Sequence, residues 1–225
     1  MKLRCELHTH SRISDGVDDV REMVIHAIRK NIQVISITDH DTLEGSLRAL
    51  EFVEKEQLPI TVLPGYELSA QEGHLLIFGE PEMEIFEKGI QIREVSEEAE
   101  KKGYFTVLAH PYQFYRSGVR KPELVVKFVD GVEVFNSRTI FPYFTSKAER
   151  LAFSSNKIRI AGSDAHSKDG VGYGVTVLSI EENTNLNIKS ILEALKSGKT
   201  DIEAKKFPFS GVIKESTLKV WRRLR

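Results

Sequence analysis

The stretch Glu6-Leu7-His8-Thr9-His10-Ser11-Arg12-Ile13-Ser14-Asp15-Gly16 sets two imidazoles just ahead of a short carboxylate. Leu3, Cys5 and Leu7 alternate with polar residues, which is the period of a strand. His8 and His10 are two apart, so both side chains leave that strand on one face. With Asp15 close behind, they can converge on a cation. His-x-His alone is a weak signal. It gains weight because ligand-type residues recur where later strands end or begin. His40 follows Val34–Thr38, Glu67 ends Ile60–Leu68 and His74 opens His74–Phe78. His110 follows Phe105–Ala109, and Asp164 and His166 follow Ile158–Gly162.

These nine residues hold six of the seven histidines in the chain. The seventh, His26, falls inside a helical pattern and is expected to be a surface or packing residue. Nine donors exceed what one zinc or magnesium ion takes, so a cluster of two or three divalent ions fits better. Imidazoles mixed with carboxylates suit zinc, manganese or iron without choosing among them. Three such ions would carry more positive charge than Asp15, Glu67 and Asp164 return. The excess attracts an anion such as a phosphate ester. Clustered ions also lower the pKa of a bridging water and clamp attacking and leaving oxygens. The chemistry expected is phosphoester hydrolysis by an activated hydroxide.

The elements that position these residues alternate. Val17, Val20, Val24, Ala27 and Ile28 predict a helix to about Lys30, with Ser14 or Asp15 available as its cap. Asp41 and Glu44 suggest a capping box for a helix carrying Leu43, Leu47, Leu50 and Val53. Residues 60–68 are expected as one strand. The run from His74 follows too soon for a crossover helix, so a hairpin is expected there. It would bring Glu67 and His74 to one end of the sheet. Helices are expected over 84–102, 122–128 and 143–155, and a last one around Ile188, Ile191, Leu192 and Leu195, stopped by Gly198. The glycine-rich run Gly170–Gly174 lacks the lysine of a phosphate-binding P-loop and is expected to be a mobile rim loop.

The 225 residues are 40% hydrophobic and 29% charged, with a net charge of −1, as in an ordinary soluble globule. That balance gives no general argument for a nucleic-acid or membrane partner. The single cysteine, Cys5, excludes an internal disulfide framework and is expected in the core. No apolar run approaches a membrane span, the start shows no secretory h-region, and a cytoplasmic location is expected. Residues 1–200 are taken as one domain and 201–225 as a C-terminal extension packed on or near it. The basic tail with Trp221 is expected to be a helix docked by that ring.

The series His8-x-His10, Ser14-Asp15-Gly16, Thr38-Asp39-His40-Asp41, Gly65-x-Glu67, His74, Ala109-His110-Pro111 and Ser163-Asp164-Ala165-His166 resembles the PHP superfamily, named for polymerase and histidinol phosphatase. The resemblance runs from residue 3 to about 200. It implies an α/β fold, a distorted (β/α)7 barrel with a two- or three-metal site at the C-terminal edge of the strands. It also implies a distribution of ligands. His8, His10, Glu67 and Asp164 would hold one ion, and Asp15, His40 and His166 a second. Glu67, His74 and His110 would hold a third, with Glu67 bridging. Many stand-alone relatives carry a longer insertion after the Glu67 and His74 region, which this chain lacks.

Candidate substrate contacts are Arg12, whose planar fork matches phosphate oxygens, and the loop residues Arg116, Arg120, Arg138 and Tyr112. The expected substrate is a phosphorylated small molecule or nucleotide, with no obligate protein partner evident. An exonuclease acting on DNA or RNA ends at the same site is the alternative. A non-catalytic scaffold built on the same barrel is a third reading, disfavoured because none of the nine ligand positions is empty.

Overall fold

The computed structural model describes residues 1–182 and 184–223; the side chains of 216 and 220–223 are outside the described set. The expected docking ring of Trp221 and the last two residues of the basic tail therefore lie outside the described residues. No described helix is long and apolar enough to cross a membrane.

Strands and helices alternate through most of the chain. In order they are β1 (Lys2–Glu6), α1 (Val20–Arg29), β2 (Val34–Ile35), α2 (Glu44–Lys55), β3 (Thr61–Val62), β4 (Gly65–Ser69), β5 (His74–Phe78) and α3 (Ile92–Lys101). They continue with β6 (Phe105–Leu108), β7 (Gly131–Asn136), α4 (Pro142–Ser154), β8 (Ile158–Gly162), β9 (Gly174–Ser179), α5 (Ile188–Lys196), β10 (Thr200–Ala204) and α6 (Phe209–Arg223). The fold is mixed α/β. Its strands form two five-stranded sheets, ordered β10-β9-β1-β2-β3 and β4-β5-β6-β7-β8. The ladders do not close into a single hydrogen-bonded barrel among the described residues.

Several elements differ from expectation. The run 60–68 is one apolar stretch in sequence but two strands in two sheets, broken at Leu63-Pro64, where proline has no N–H for a ladder. The first helix starts at Val20, not Val17, because Asp19 and Glu22 form the capping box. Asp41 does not cap α2. It has φ +56° and its carboxylate accepts bonds from Ser69 N–H (2.6 Å) and Ser69 Oγ (2.9 Å). The segment 84–102 is helical only from Ile92, and 122–128 forms two 3-10 turns, Pro122–Leu124 and Val126–Phe128. The Gly170–Gly174 run is pinned, since Gly172 N–H donates to buried Glu6 Oε2 at 2.8 Å. β10 was unforeseen: Thr200–Ala204 pairs antiparallel with β9, beginning where the C-terminal extension was placed.

The expected hairpin forms, with β4 and β5 antiparallel and Ser69 opposite His74. One buried cluster draws on both sheets: Cys5, Leu7, Leu76, Phe78, Val107 and Ile160 pack with Ile191, Leu192 and Leu195 of α5. Helices α1 and α2 cover the first sheet, and α3 and α4 the second.

Two seams join the sheets, and side-chain hydroxyls stitch both. Ser46 Oγ on α2 donates to Ile37 O (2.8 Å) and accepts from Gly65 N–H (3.1 Å). At the other seam, Thr176 Oγ on β9 accepts from Ala161 N–H and donates to Ala161 O, both at 3.0 Å. Thr176 is buried, so replacing it with isosteric valine leaves two backbone groups of β8 unsatisfied. Thr176→Val is expected to destabilise the protein by about 2–4 kcal/mol, read as a lower midpoint in urea denaturation with unchanged slope.

Candidate metal centre

The seams carry isolated bridges beyond the strand ends, and these bridges place the donors. Thr9 pairs with Ala165, and His40 with Glu67. Because side chains alternate along extended chain, His8 and His10 flank Thr9 on one face, and Asp164 and His166 flank Ala165 in the same way. Thr9 itself points back into the first sheet, donating from Oγ1 to Ser36 O at 2.8 Å. All nine predicted donors come together as four groups: His10, Asp15, His40 and His166; His8, His10 and Asp164; His8, Glu67 and His110; His40, Glu67 and His74. His26 is not among them. His74 Nδ1 and His110 Nε2 both lie against Glu67 Oε1, at 3.0 and 3.1 Å.

Glu67 is the centre of this arrangement. Its carboxylate is 1% exposed and faces five imidazoles: His8 Nε2 at 3.4 Å, His10 Nε2 at 3.3 Å, His40 Nδ1 at 3.1 Å, His74 Nδ1 at 3.0 Å and His110 Nε2 at 3.1 Å. His8 Nε2 and His10 Nε2 lie 3.1 Å apart. Two ring nitrogens at that distance cannot both carry protons. Their titrations separate accordingly. Burial pushes His10 down to about 3, with the neighbouring His166 adding to the effect. Burial also acts against a charged His8, but Glu133, Asp164 and Glu67 outweigh it and hold this ring well above the usual histidine range. Burial opposes ionisation of Glu67 and Asp164; His74 and His8 keep the first, and Arg116 and His8 the second, well below the usual carboxylate range.

The donor set fits divalent cations. Four side-chain atoms of the cluster, His10 Nδ1, Asp15 Oδ1, His40 Nδ1 and His74 Nδ1, are buried without a well-formed hydrogen bond among the described residues and meet only other donors of the cluster, at 3.0–4.0 Å. Polar atoms of this kind are costly inside a protein, and coordination would satisfy ring nitrogens and carboxylate oxygens that point inward.

Local sequence explains how the donors are aimed. Buried Asp39 accepts from Ser11 N–H (2.8 Å), Ser11 Oγ (2.6 Å) and Ser14 N–H (3.3 Å), which curls the loop that presents Asp15. Gly16 allows the loop to close, since a Cβ there would sit 2.1 Å from His10 O. His110 and Asp164 hold φ of +29° and +52°, backbone strain concentrated at the donors.

Glu133, to which the sequence reading gave no role, orients two of them. Its Oε1 lies 2.9 Å from His8 Nδ1, and its Oε2 accepts from His110 N–H at 2.7 Å and Asn136 Nδ2 at 3.1 Å. A lone glutamate in the apolar strand Val132-Glu133-Val134 was the available signal. Lys219 was missed as well: its Nζ lies 2.9 Å from Asp15 Oδ2.

The predicted substrate residues separate. Arg116 reaches the centre, pairing with Asp164 through Nη2 and donating from Nη1 to Asn136 Oδ1 at 3.0 Å. Arg138 is turned onto Glu215 of α6. Arg12 is exposed and donates to Val17 O at 3.2 Å. Tyr112 is buried, donates to Glu123 at 2.7 Å and lies under Lys147, so its ring is already covered. Arg120 packs over Phe114 beside a cavity of about 1020 Å³, which adjoins the donors through His74 and Ser117.

Residues 6–139 match the PHP domain family, and residues 142–200 match the PHP-associated family. The chain belongs to the PHP domain family. An uncharacterised protein of Methanocaldococcus jannaschii is 29% identical over 146 residues, which are 60% of this chain and 82% of that protein. The 5'-3' exoribonuclease Rnm of Salmonella typhimurium is 33% identical over 64 residues, 28% of this chain and 22% of the enzyme. Among solved structures, a two-domain protein of Bacteroides vulgatus containing a predicted PHP-like metal-dependent phosphoesterase shares the fold, with a TM-score of 0.72 at 22% identity. The match covers 91% of this chain and 65% of that one, so the chain spans less than two thirds of this neighbour.

Gly162 lies where β8 passes behind the donors. A Cβ there would sit 2.3 Å from Glu133 Oε1 and 2.5 Å from His8 Cβ. Gly162→Ala is expected to force both residues aside and cost about 1–3 kcal/mol, measured as a lower denaturation midpoint.

Proposed function

We propose that this chain is a metal-dependent hydrolase of phosphate esters, acting on a small phosphomonoester or nucleotide with two or three divalent ions of manganese, zinc or iron. The observation that carries the reading is the buried Glu67 carboxylate ringed by five imidazoles, with three further donors, Asp15, Asp164 and His166, beside it. Ions bound there would supply Lewis acidity and an activated water. The chain's own residues do the rest. Glu67 would hold ions together with the rings around it, Glu133 fixes the ring of His8, and Asp39 holds the loop of Asp15. Arg116, now on Asp164, offers a planar fork to a phosphate oxygen at the same opening.

A pocket of about 220 Å³ opens over the donors, lined among others by Asp15, His40, Glu67, Arg116 and Asp164, with room for a phosphate group and several waters. The organic part of the ester would extend into the adjoining cavity. That cavity favours a second reading, an exonuclease at the same centre, because Lys88, Arg120, Lys121 and exposed Phe114 line it. Cations beside an aromatic ring suit a short run of nucleotides. The scaffold reading has no support in the donor set. Residues 1–200 are proposed as the metal-binding domain, with 201–225 packed against it.

The reading is tested by elemental analysis of the purified protein together with a phosphate-ester hydrolysis screen, with and without added manganese. Two or three ions per chain and metal-dependent turnover are expected. His40 is partly exposed, so His40→Ala is expected to abolish turnover while leaving the folded protein intact by circular dichroism. Turnover retained at the wild-type rate would refute the site. Glu133→Gln is expected to weaken metal binding about 10–100-fold in a competition titration. His8 and His74 are both held above the usual histidine range, despite burial, by carboxylates that include Glu67. Ions must displace protons from them, so metal loading is expected to weaken as the pH falls through the raised titration range of these rings, starting at a higher pH than for ordinary histidines, with proton release on binding seen in calorimetry.

A further inference from the structure

The C-terminal helix α6 is fastened to the rim of the donor cluster by one buried residue. Glu215 is 2% exposed, accepts from Ser167 Oγ at 2.6 Å and pairs with Arg138. Ser167 directly follows the donor His166. The approach to the helix is fixed as well, because Phe207 N–H donates to Ser137 O at 3.0 Å. Lys214 adds an ion pair to Asp169 at 2.8 Å. Lys219 lies four residues beyond Glu215, so the two side chains share one face of the helix. The anchor thus directs Lys219 at Asp15.

Asp15 divides its two oxygens. Oδ1 faces the cluster, 3.1 Å from His166 Nε2 and 3.7 Å from His40 Nε2. Oδ2 faces outward to Lys219 Nζ at 2.9 Å. An ion held by Oδ1 would leave Lys219 in place. An ammonium has three donors, and Asp15 occupies one. Lys219 thus stands against Asp15, which lines the pocket, while Arg116 lines it at the Asp164 edge.

Resting on the phosphoester reading, we infer that Lys219 is a substrate-binding residue: α6 supplies an ammonium that, with Arg116 on the other edge, grips the terminal oxygens of a phosphate dianion. This gives the C-terminal helix a part in recognition and selects esters that end in phosphate over internal diesters, which offer one negative charge.

The test uses the full chain loaded with manganese and inorganic phosphate as the probe, with binding measured by calorimetry and metal content by elemental analysis. Lys219→Met is expected to weaken phosphate binding roughly tenfold or more with metal content unchanged, and Lys219→Arg to recover most of it. In steady-state assays, Lys219→Met is expected to raise KM for a phosphomonoester more than for a diester. Phosphate binding equal to wild type in Lys219→Met, with metals retained, overturns the inference and leaves the phosphoesterase reading standing. Loss of an ion in Lys219→Met also overturns it, because the lysine would then serve Asp15 and not the substrate. No phosphate binding by the loaded wild-type protein overturns both.

Discussion

One buried carboxylate facing five imidazoles is the constraint on which the centre depends. Glu67 lies inside β4, so its position is set by backbone pairing on both sides: its N–H donates to Asp39 O at 3.3 Å and its O accepts from Asp41 N–H at 2.9 Å. His8 and His10 reach it from beyond β1, His40 from beyond β2, His110 from beyond β6 and His74 from the hairpin partner. A negative charge this deep is tolerable because positive or polar groups surround it, and the rings are tolerable together because the charge sits between them. Either half without the other would be a strongly destabilising burial. The surroundings of the cluster serve the same end. Arg116 balances Asp164, Glu133 holds His8, and Lys219 balances the outward oxygen of Asp15.

The centre lies where the two ladders stop. At regular sheet positions backbone groups are consumed by neighbours and side chains alternate without converging. At the seams, hydroxyls of Ser46 and Thr176 satisfy the backbone, and single bridges at Thr9 and His40 let extended chain continue past the strand ends. His8, His10, His40, Asp164 and His166 occupy those continuations. The same irregularity accounts for the left-handed conformations at Asp41, His110 and Asp164, each of which redirects the chain where a strand would otherwise carry on.

Much of this was legible in sequence because of residue types. Histidine is uncommon, and six of seven occur beside strand ends, so position alone marked the cluster. The hairpin at Glu67 and His74 followed from chain length between the two runs. The break inside residues 60–68 was not legible, since both halves are apolar and buried and a continuous run looks the same whether it serves one sheet or two. β10 was hidden for the opposite reason: Thr200-Asp201-Ile202-Glu203-Ala204 is an edge strand with mostly exposed side chains and little apolar pattern. Glu133 and Lys219 escaped because their partners lie 125 and 204 residues away. Asp41 misled because an aspartate ahead of a helix has two uses, and its bonds to Ser69 prevailed over capping.

The placement of the donors across both seams has a consequence for how the molecule comes to exist. His8 and His166 are separated by most of the chain, and no subset of adjacent elements brings together more than part of the set. The centre therefore cannot precede the docking of the two sheets. It is assembled by contacts between residues far apart in sequence, which are slow to form. Until that step, histidines and carboxylates are scattered along a chain with little power to retain a cation. Afterwards, any ion captured stabilises only the completed form, in proportion to its concentration and affinity. Ion capture would thus act as a latch on the finished tertiary structure, so that metal supply would set how long the native state persists.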